Sequence, residues 1–205
     1  MPQPWLGDEV YDAAMEAIDA TRRDGREHGF ALCALPTNGR PGPTTILPGT
    51  ACSGDECSID TQESACAEGT TRVGAFHTHP SGAVLPSTAD MTIYTLRGEP
   101  LFCIGAPTQP DTTIEVETGL THTLNHDAYV CYIHKKWGAS RAALKKSALP
   151  IIREAVYHLA EQKGGSIPET EEIQNALLAT HDSTLDWTPV WYKFLKLFDT
   201  TTTVR

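Results

Sequence analysis

Two histidines and one aspartate have the residue types and the spacing of a metal site. His77 and His79 are separated by one residue in a run that alternates like a β-strand. Side chains two apart on a strand project from the same face, about 6.6 Å apart along it, so both imidazoles can reach one ion. Asp90 follows at the start of a predicted helix and would add an oxygen ligand. Such a set leaves the fourth position of a tetrahedral zinc ion open for water, as catalytic zinc sites require.

Each half of this pattern also has an ordinary structural interpretation. An isolated His-x-His on a strand is frequently a pair of hydrogen-bonded core residues. Ser87 and Asp90 follow Pro86 at the spacing of a capping box, in which both side chains bond to the first turn of a helix. The prediction of a metal site therefore rests on the two halves occurring together, and not on either half alone.

Alternating and helical apolar patterns predict the elements that position these residues. Strands are predicted at 30–35, 44–47, 72–79, 101–104 and 129–133, a hairpin over 112–124, a long loop at 48–71, and helices at 8–24 and 87–96. Three further helices are predicted at 139–162, 169–180 and 188–199, the first with a kink or break at Pro150. This order predicts an α+β domain over residues 1–138 and a helical C-terminal extension over residues 139–205.

The acidic composition of the chain argues against two classes of binding partner. The 205 residues carry 26 acidic and 16 basic side chains, a net charge of −10, which argues against broad binding to nucleic acid or to anionic membranes. The sequence has no apolar run near the roughly 18 residues of a membrane span. It also starts without the basic and apolar regions of a signal peptide. We therefore expect a cytoplasmic protein with reduced thiols.

The six cysteines fall into two groups. Three lie in apolar runs and are predicted to be small buried hydrophobic residues: Cys33, Cys103 and Cys131. The other three share the predicted loop: Cys52, Cys57 and Cys66. Structural zinc sites usually take four ligands, and this loop offers three thiols. Free thiols, a disulfide with one spare thiol and a second metal site all remain open for the loop.

The motif His77-x-His79-Pro80 followed by Ser87-x-x-Asp90 resembles the JAMM signature of the MPN+ metallopeptidases. The resemblance covers roughly residues 8–130. It implies the MPN fold, a cytidine-deaminase-like mixed sheet flanked by helices. It also implies one zinc ion per chain, held by the two histidines and Asp90. Members of the family hydrolyse peptide or isopeptide bonds, many of them on ubiquitin-like modifiers, so the implied partner is a protein or peptide substrate.

The same resemblance assigns roles to two further residues. The family places a glutamate just before its first strand, where Glu27 stands here. This glutamate would take the proton from a water that zinc has made acidic and pass it to the leaving amine. The Ser87 hydroxyl would stabilise the oxyanion. Phe30 occupies a position where eukaryotic members commonly have glycine, which resembles the prokaryotic branch.

A second function class stays open on the sequence. JAMM-like domains also occur in viral tails, and the chain is alternatively an assembly component of a virion built on the same fold. Aromatic residues at helical spacing in 186–205 indicate either a helix docked on its own domain or a site for an assembly partner. A metal-dependent phosphoesterase is a third hypothesis, but such enzymes usually need more His and Asp ligands than this sequence offers.

Overall fold

The computed structural model describes residues 4–37, 44–55, 59–107, 113–115, 121–123, 127–162, 164–165 and 188–204. The chain forms two compact units. The first contains Met1–Leu85, Leu101–Ile133 and Thr200–Arg205, and the second contains Pro86–Pro100 and His134–Asp199. Each unit is made of separate stretches that alternate along the chain. This division does not test the predicted boundary between a metallopeptidase domain and a C-terminal extension at residues 138 and 139, which stays a prediction.

Between the first and last strands, neither of which was predicted from the sequence, the elements follow the predicted order of helix, strands, helix, strands and then helices. The strands are β1 (Pro4–Leu6), β2 (His28–Ala34), β3 (Thr44–Ser53), β4 (Thr71–Thr78), β5 (Leu101–Ala106), β6 (Thr113–Glu115), β7 (Thr121–Thr123), β8 (Ala128–His134) and β9 (Phe198–Val204). The helices are α1 (Asp8–Asp24), α2 (Thr88–Arg97), α3 (Arg141–Gln162) and α4 (Thr188–Leu195), with a 3₁₀ turn at Thr61–Glu63. The predicted helix at 169–180 lies outside the described residues.

Seven strands form one mixed sheet in the order β1-β3-β2-β4-β5-β8-β9, and β6 and β7 form the predicted hairpin. β1 runs parallel to β3 and β4 runs parallel to β5, whereas β2 is antiparallel to both β3 and β4. The predicted α+β class, a mixed sheet with helices, is confirmed. β3 extends to Ser53, so the predicted loop at 48–71 is shorter than the polar composition of that stretch suggested.

Helix α1 packs on the sheet through its predicted apolar stripe. Val10, Ala14 and Ile18 recur every four residues and are fully buried. Gly25 ends the helix in the left-handed region at φ 71°, which suits glycine because it has no Cβ, and its N–H donates to the Thr21 carbonyl at 2.9 Å. Between helix and strands, the Thr21 and Thr78 hydroxyls form a buried hydrogen bond.

Two disulfides correct the expectation of reduced thiols and plain hydrophobic cysteines. Cys103 and Cys131 are register partners on β5 and β8, with Cα atoms 4.0 Å apart, and they are bonded. Cys33 on β2 is bonded to Cys66. Sequence reasoning placed Cys33, Cys103 and Cys131 in apolar runs and Cys66 in a polar loop. It had no means of finding partners 28 and 33 residues away. Because Cys66 is disulfide-bonded, it is not available to a metal site in its loop.

The second unit is built from three helices. The residues of α3 that face inward are Leu144, Ala148, Ile151, Ala155 and Leu159. Met91 and Tyr94 of α2 are also buried, and the three helices all contact one another. Helix α3 continues through Pro150, so a break at that residue is wrong. In the part of the chain that the structure describes, no helix is long and apolar enough to cross a membrane.

The C-terminal segment differs from the predicted helix at 188–199. Helix α4 ends at Leu195, and Phe198–Val204 forms strand β9. A run of threonines followed by valine favours a strand, because β-branched side chains pack well on a pleated surface. Val190 and Phe194 are buried, and the Trp191 indole donates to the Pro86 carbonyl at 2.9 Å. An assembly partner bound through 186–205 stays a prediction.

Replacing Phe194 with alanine tests whether α4 belongs to the core. Because its ring is fully buried, we expect a loss of about 3–5 kcal/mol in the free energy of unfolding. The measurement is urea unfolding followed by circular dichroism. Tyr192→Ala is the control, since that side chain is 54% exposed on the same helix and should change stability little. Equal effects of the two substitutions would contradict the burial of α4.

Candidate metal centre

The two histidines of the motif converge at the end of β4. The Nε2 atoms of His77 and His79 lie 3.0 Å apart, and His77 is 98% buried. Two nitrogen ligands of a tetrahedral zinc ion, at bond lengths of ~2.0–2.1 Å, lie about 3.3 Å from each other. The observed separation is close to that distance, and it is also the length of a hydrogen bond between the two rings. The pair therefore presents two nitrogens as a shared metal would require.

The loop after the strand fixes the orientation of one imidazole. Gly82 adopts φ 82°, and its N–H donates to the His79 carbonyl at 3.1 Å, so the chain turns back at this point. The turn brings the Ala83 carbonyl to 3.0 Å from Nδ1 of His79. A proton on Nδ1 donated to this carbonyl leaves the lone pair on Nε2, the nitrogen that faces His77. This is the outer-shell hydrogen bond that metal-binding histidines typically make.

Asp90 lies at the start of α2 in a complete capping box. The Ser87 N–H and hydroxyl both donate to Asp90 Oδ2 at 2.7 Å, and the Asp90 N–H donates to Ser87 Oγ at 3.1 Å. The structural interpretation of Ser-x-x-Asp is therefore correct. The capping box does not prevent Asp90 from binding a metal, because a carboxylate can accept these hydrogen bonds and still coordinate an ion. The cap holds the carboxylate in one orientation.

The structure brings together the three predicted ligands. One ligand atom from each of His77, His79 and Asp90 lies within 4.8 Å of the others. His77 is buried, and the other two residues are half-buried. Two imidazoles and one carboxylate fit zinc in their chemistry and leave room for a fourth ligand. This group could hold a metal ion.

Glu27 lies just before β2, which pairs with the histidine strand. Its side chain is 93% buried, and its backbone bonds to residues 54 and 55 fix its position. Gly29 is the register partner of His77, and residues two apart on an extended chain face the same way. The register therefore places Glu27 on the His77 side of the sheet, beside the strand end that carries His79. The catalytic roles of Glu27 and Ser87 stay predictions.

Gly29 is a site residue that sequence reasoning missed. A Cβ atom at this position would lie 2.3 Å from the Phe76 carbonyl oxygen and 3.3 Å from the His77 Cβ. Only glycine lets the two strands approach closely here, so its missing side chain sets the position of His77. A glycine inside an otherwise apolar strand was the available signal, since it often marks such an approach.

Gly29→Ala is expected to disturb the site through packing alone. The added methyl group must push β2 away from β4, which should cost about 1–3 kcal/mol of stability and lower metal content. Metal analysis and thermal unfolding of the same preparation measure both effects. Ser53→Ala, on the exposed end of the neighbouring strand β3, is the control. An alanine variant with full metal content and unchanged stability would show that this close approach is not needed.

The neighbouring residues His28 and Thr78 face the opposite side of the sheet. The His28 ring bonds to Asp24 at 2.9 Å, and this bond, after one from the Arg26 N–H, lowers the pKa of the Asp24 carboxyl. The Thr78 hydroxyl accepts from the His28 N–H at 2.8 Å. This alternation separates His28 from the candidate site, although it is close in sequence to Glu27.

His134 and Cys52 both make ordinary hydrogen bonds within the protein. His134 is buried, accepts the Lys136 N–H at Nδ1, and approaches Ser147 Oγ at 3.2 Å through Nε2; burial lowers its pKa. The Cys52 thiol donates to the Gly29 carbonyl at 3.3 Å, and burial raises its pKa. Cys57 lies outside the described residues, so its state stays open.

Comparison with known proteins gives little beyond this geometry. No protein-family model matches the chain, and no curated protein matches it. Among solved structures, it is similar to a JAB1/MPN domain protein from Archaeoglobus fulgidus, at 17% identity and a TM-score of 0.35. The match covers 65% of this chain and 89% of that one. A similarity this distant carries no conclusion about activity.

Proposed function

We propose that this protein is a zinc-dependent hydrolase of amide bonds, a peptidase or isopeptidase that acts on a protein or peptide substrate. The observation that carries the proposal is the convergence of the His77 and His79 Nε2 atoms, 3.0 Å apart, with the Asp90 carboxylate in the same group. A structural zinc site usually has four protein ligands, whereas three ligands with an open position are typical of a catalytic site.

The metal ligands and Glu27 would have separate roles in the reaction. Zinc held by the three ligands would supply an acidic water and polarise the substrate carbonyl. Glu27, buried beside the histidine strand, would take the proton of that water and return it to the leaving nitrogen. A glutamate in this position is a proton carrier and not a ligand, so metal binding should not depend on it.

Ser87 has a more constrained role than the sequence suggested. Its hydroxyl donates to Asp90 Oδ2, so that proton would have to turn away from Asp90 to reach a substrate oxyanion. In the capping box it positions a metal ligand. Ser87→Ala would therefore lower metal affinity if positioning dominates. It would lower the turnover number at full metal content if oxyanion stabilisation dominates.

Metal content and activity test the proposal together. Protein purified without chelators should contain about one zinc per chain. It should also cleave at least one member of a panel of peptide and ubiquitin-like isopeptide substrates, and a chelator should abolish the cleavage. Absence of any first-row metal would exclude the metal centre. Zinc without cleavage of any substrate would favour the assembly component over the enzyme.

A further inference from the structure

The loop at 80–86 joins two of the proposed ligands, with His79 before it and Asp90 in the capping box after it. Buried and exposed positions alternate along this loop, and the buried ones are Gly82, Val84 and Pro86. The shape of such a connection decides whether the atoms of the two ligands converge on one point. Hydrogen bonds that fix the loop therefore bear on metal binding, although the side chains that make them lie on other elements.

Trp191 of α4 holds the end of this loop that leads to Asp90. Its indole N–H donates to the Pro86 carbonyl at 2.9 Å, and both residues belong to the second unit. The N–H of the same peptide group, that of Ser87, donates to Asp90 Oδ2 at 2.7 Å. A peptide group is planar, so a bond that fixes its C=O also fixes the direction of its N–H. A single rigid group thus connects the Trp191 indole to the Asp90 carboxylate.

Tyr132 of β8 holds the part of the loop that contacts His79. Its hydroxyl donates to the Val84 carbonyl at 3.1 Å, and both residues are buried and belong to the first unit. The preceding carbonyl is that of Ala83, which lies 3.0 Å from Nδ1 of His79. Only two rotatable backbone bonds separate adjacent peptide groups, so fixing one of them restricts the other. The bond to Tyr132 therefore restrains the acceptor that orients the His79 imidazole.

Each of these bonds also has a purely structural explanation. A tyrosine hydroxyl or an indole N–H that is removed from water needs an acceptor, and any carbonyl in reach would satisfy it. The acceptors observed here have two further properties in common. Both lie in the loop that joins two proposed ligands, and each is part of, or next to, a peptide group that is hydrogen-bonded to a ligand. Groups that orient metal ligands through such bonds contribute to the affinity for the metal.

We propose that Trp191 and Tyr132 are positioning residues, which hold Asp90 and His79 in the orientations that bind the metal. This inference rests on the metal centre proposed above and adds two residues that the sequence motif does not contain. Neither residue touches the metal, and each acts through the backbone of the loop. Helix α4 then supports the metal centre in addition to packing in the core of its unit.

Removing either donor should weaken zinc binding in the folded protein. Tyr132→Phe removes only the hydroxyl, and Trp191→Phe removes the indole N–H. Each variant should raise the zinc dissociation constant at least ~10-fold, as loss of a group that orients a ligand typically does. Competition with a chromophoric chelator measures this constant. At saturating Co²⁺, the visible absorption spectrum of each variant should also differ from that of the wild type. This spectrum reports the ligand geometry, which a loss of stability alone does not change.

Matched controls separate the lost hydrogen bonds from altered packing. Tyr129→Phe removes a hydroxyl from an equally buried tyrosine on the same strand as Tyr132, and Tyr192→Phe removes one from the exposed neighbour of Trp191. Both controls should bind zinc like the wild type. Because phenylalanine is smaller than tryptophan, a second Trp191 variant carries 3-benzothienylalanine, in which sulfur replaces the indole N–H and the ring size is kept. It should bind zinc as weakly as Trp191→Phe.

Hydrogen exchange of the Ser87 amide, followed by NMR in metal-free protein, tests the positioning of Asp90 without the metal. This N–H should exchange faster in both Trp191 variants and at the wild-type rate in Tyr192→Phe. If the wild type binds no metal but this exchange accelerates, the proposed function fails and the positioning of Asp90 stands. If both donor variants keep the wild-type zinc affinity and cobalt spectrum, or if the exchange is unchanged, the positioning role fails and the metal centre stands.

Discussion

Replacing His77 with alanine is expected to reduce the zinc content from about one ion per chain to background, and with it all hydrolysis. His77 is 98% buried and contributes one of the two converging nitrogens, so no water-exposed side chain can take its place. Two remaining ligands, His79 and Asp90, are too few for a stable tetrahedral site. Metal analysis by mass spectrometry after gel filtration provides the measurement.

His28→Ala is the matched control for this substitution. His28 is a partly buried histidine at the same end of the sheet, but it faces α1 and bonds to Asp24. The His28 variant should keep its zinc. If the His77 and His79 variants both retain the metal, it is bound elsewhere, and the proposed centre fails. If circular dichroism shows that the His77 variant is unfolded, the test uses His79→Ala instead, because His79 is only half-buried.

Glu27→Gln should leave zinc and fold intact and lower the turnover number by about 10²–10⁴. Glutamine keeps the size and hydrogen-bonding capacity of the side chain but cannot accept a proton at neutral pH. Since Glu27 is predicted to carry a proton and not to bind the metal, the zinc content of this variant should equal that of the wild type. Single-turnover kinetics on a substrate that the wild type cleaves measure the effect.

Glu68→Gln is the control for the loss of one acidic charge, because that side chain is exposed. It should cleave like the wild type. Equal turnover by the Glu27 variant and the wild type would place the base elsewhere, while leaving the metal ligands unaffected. Loss of zinc in the Glu27 variant would instead make this residue part of the metal centre. The two outcomes separate an error about the base from an error about the metal.

The sequence by itself determined the elements that carry the site and their local geometry. Strand periodicity places His77 and His79 on one face, and the Ser87-x-x-Asp90 spacing builds a capping box within a single helical turn. Both follow from interactions between residues at most a few positions apart. Such interactions depend on backbone geometry that the residue pattern fixes. For the same reason α1 was predicted with its observed boundaries.

Only the tertiary structure decided which distant segments meet. The bonds Cys33–Cys66 and Cys103–Cys131, and the close approach of Gly29 to His77, all depend on strand pairing. Pairing register follows from hydrophobic patterns and turn geometry across the whole sheet, and a spacing of a few residues does not determine it. The run Phe198–Val204 likewise forms strand β9 of the seven-stranded sheet, although its apolar start continues the helical pattern of α4. Local propensity offers such a segment several conformations, and packing selects one of them.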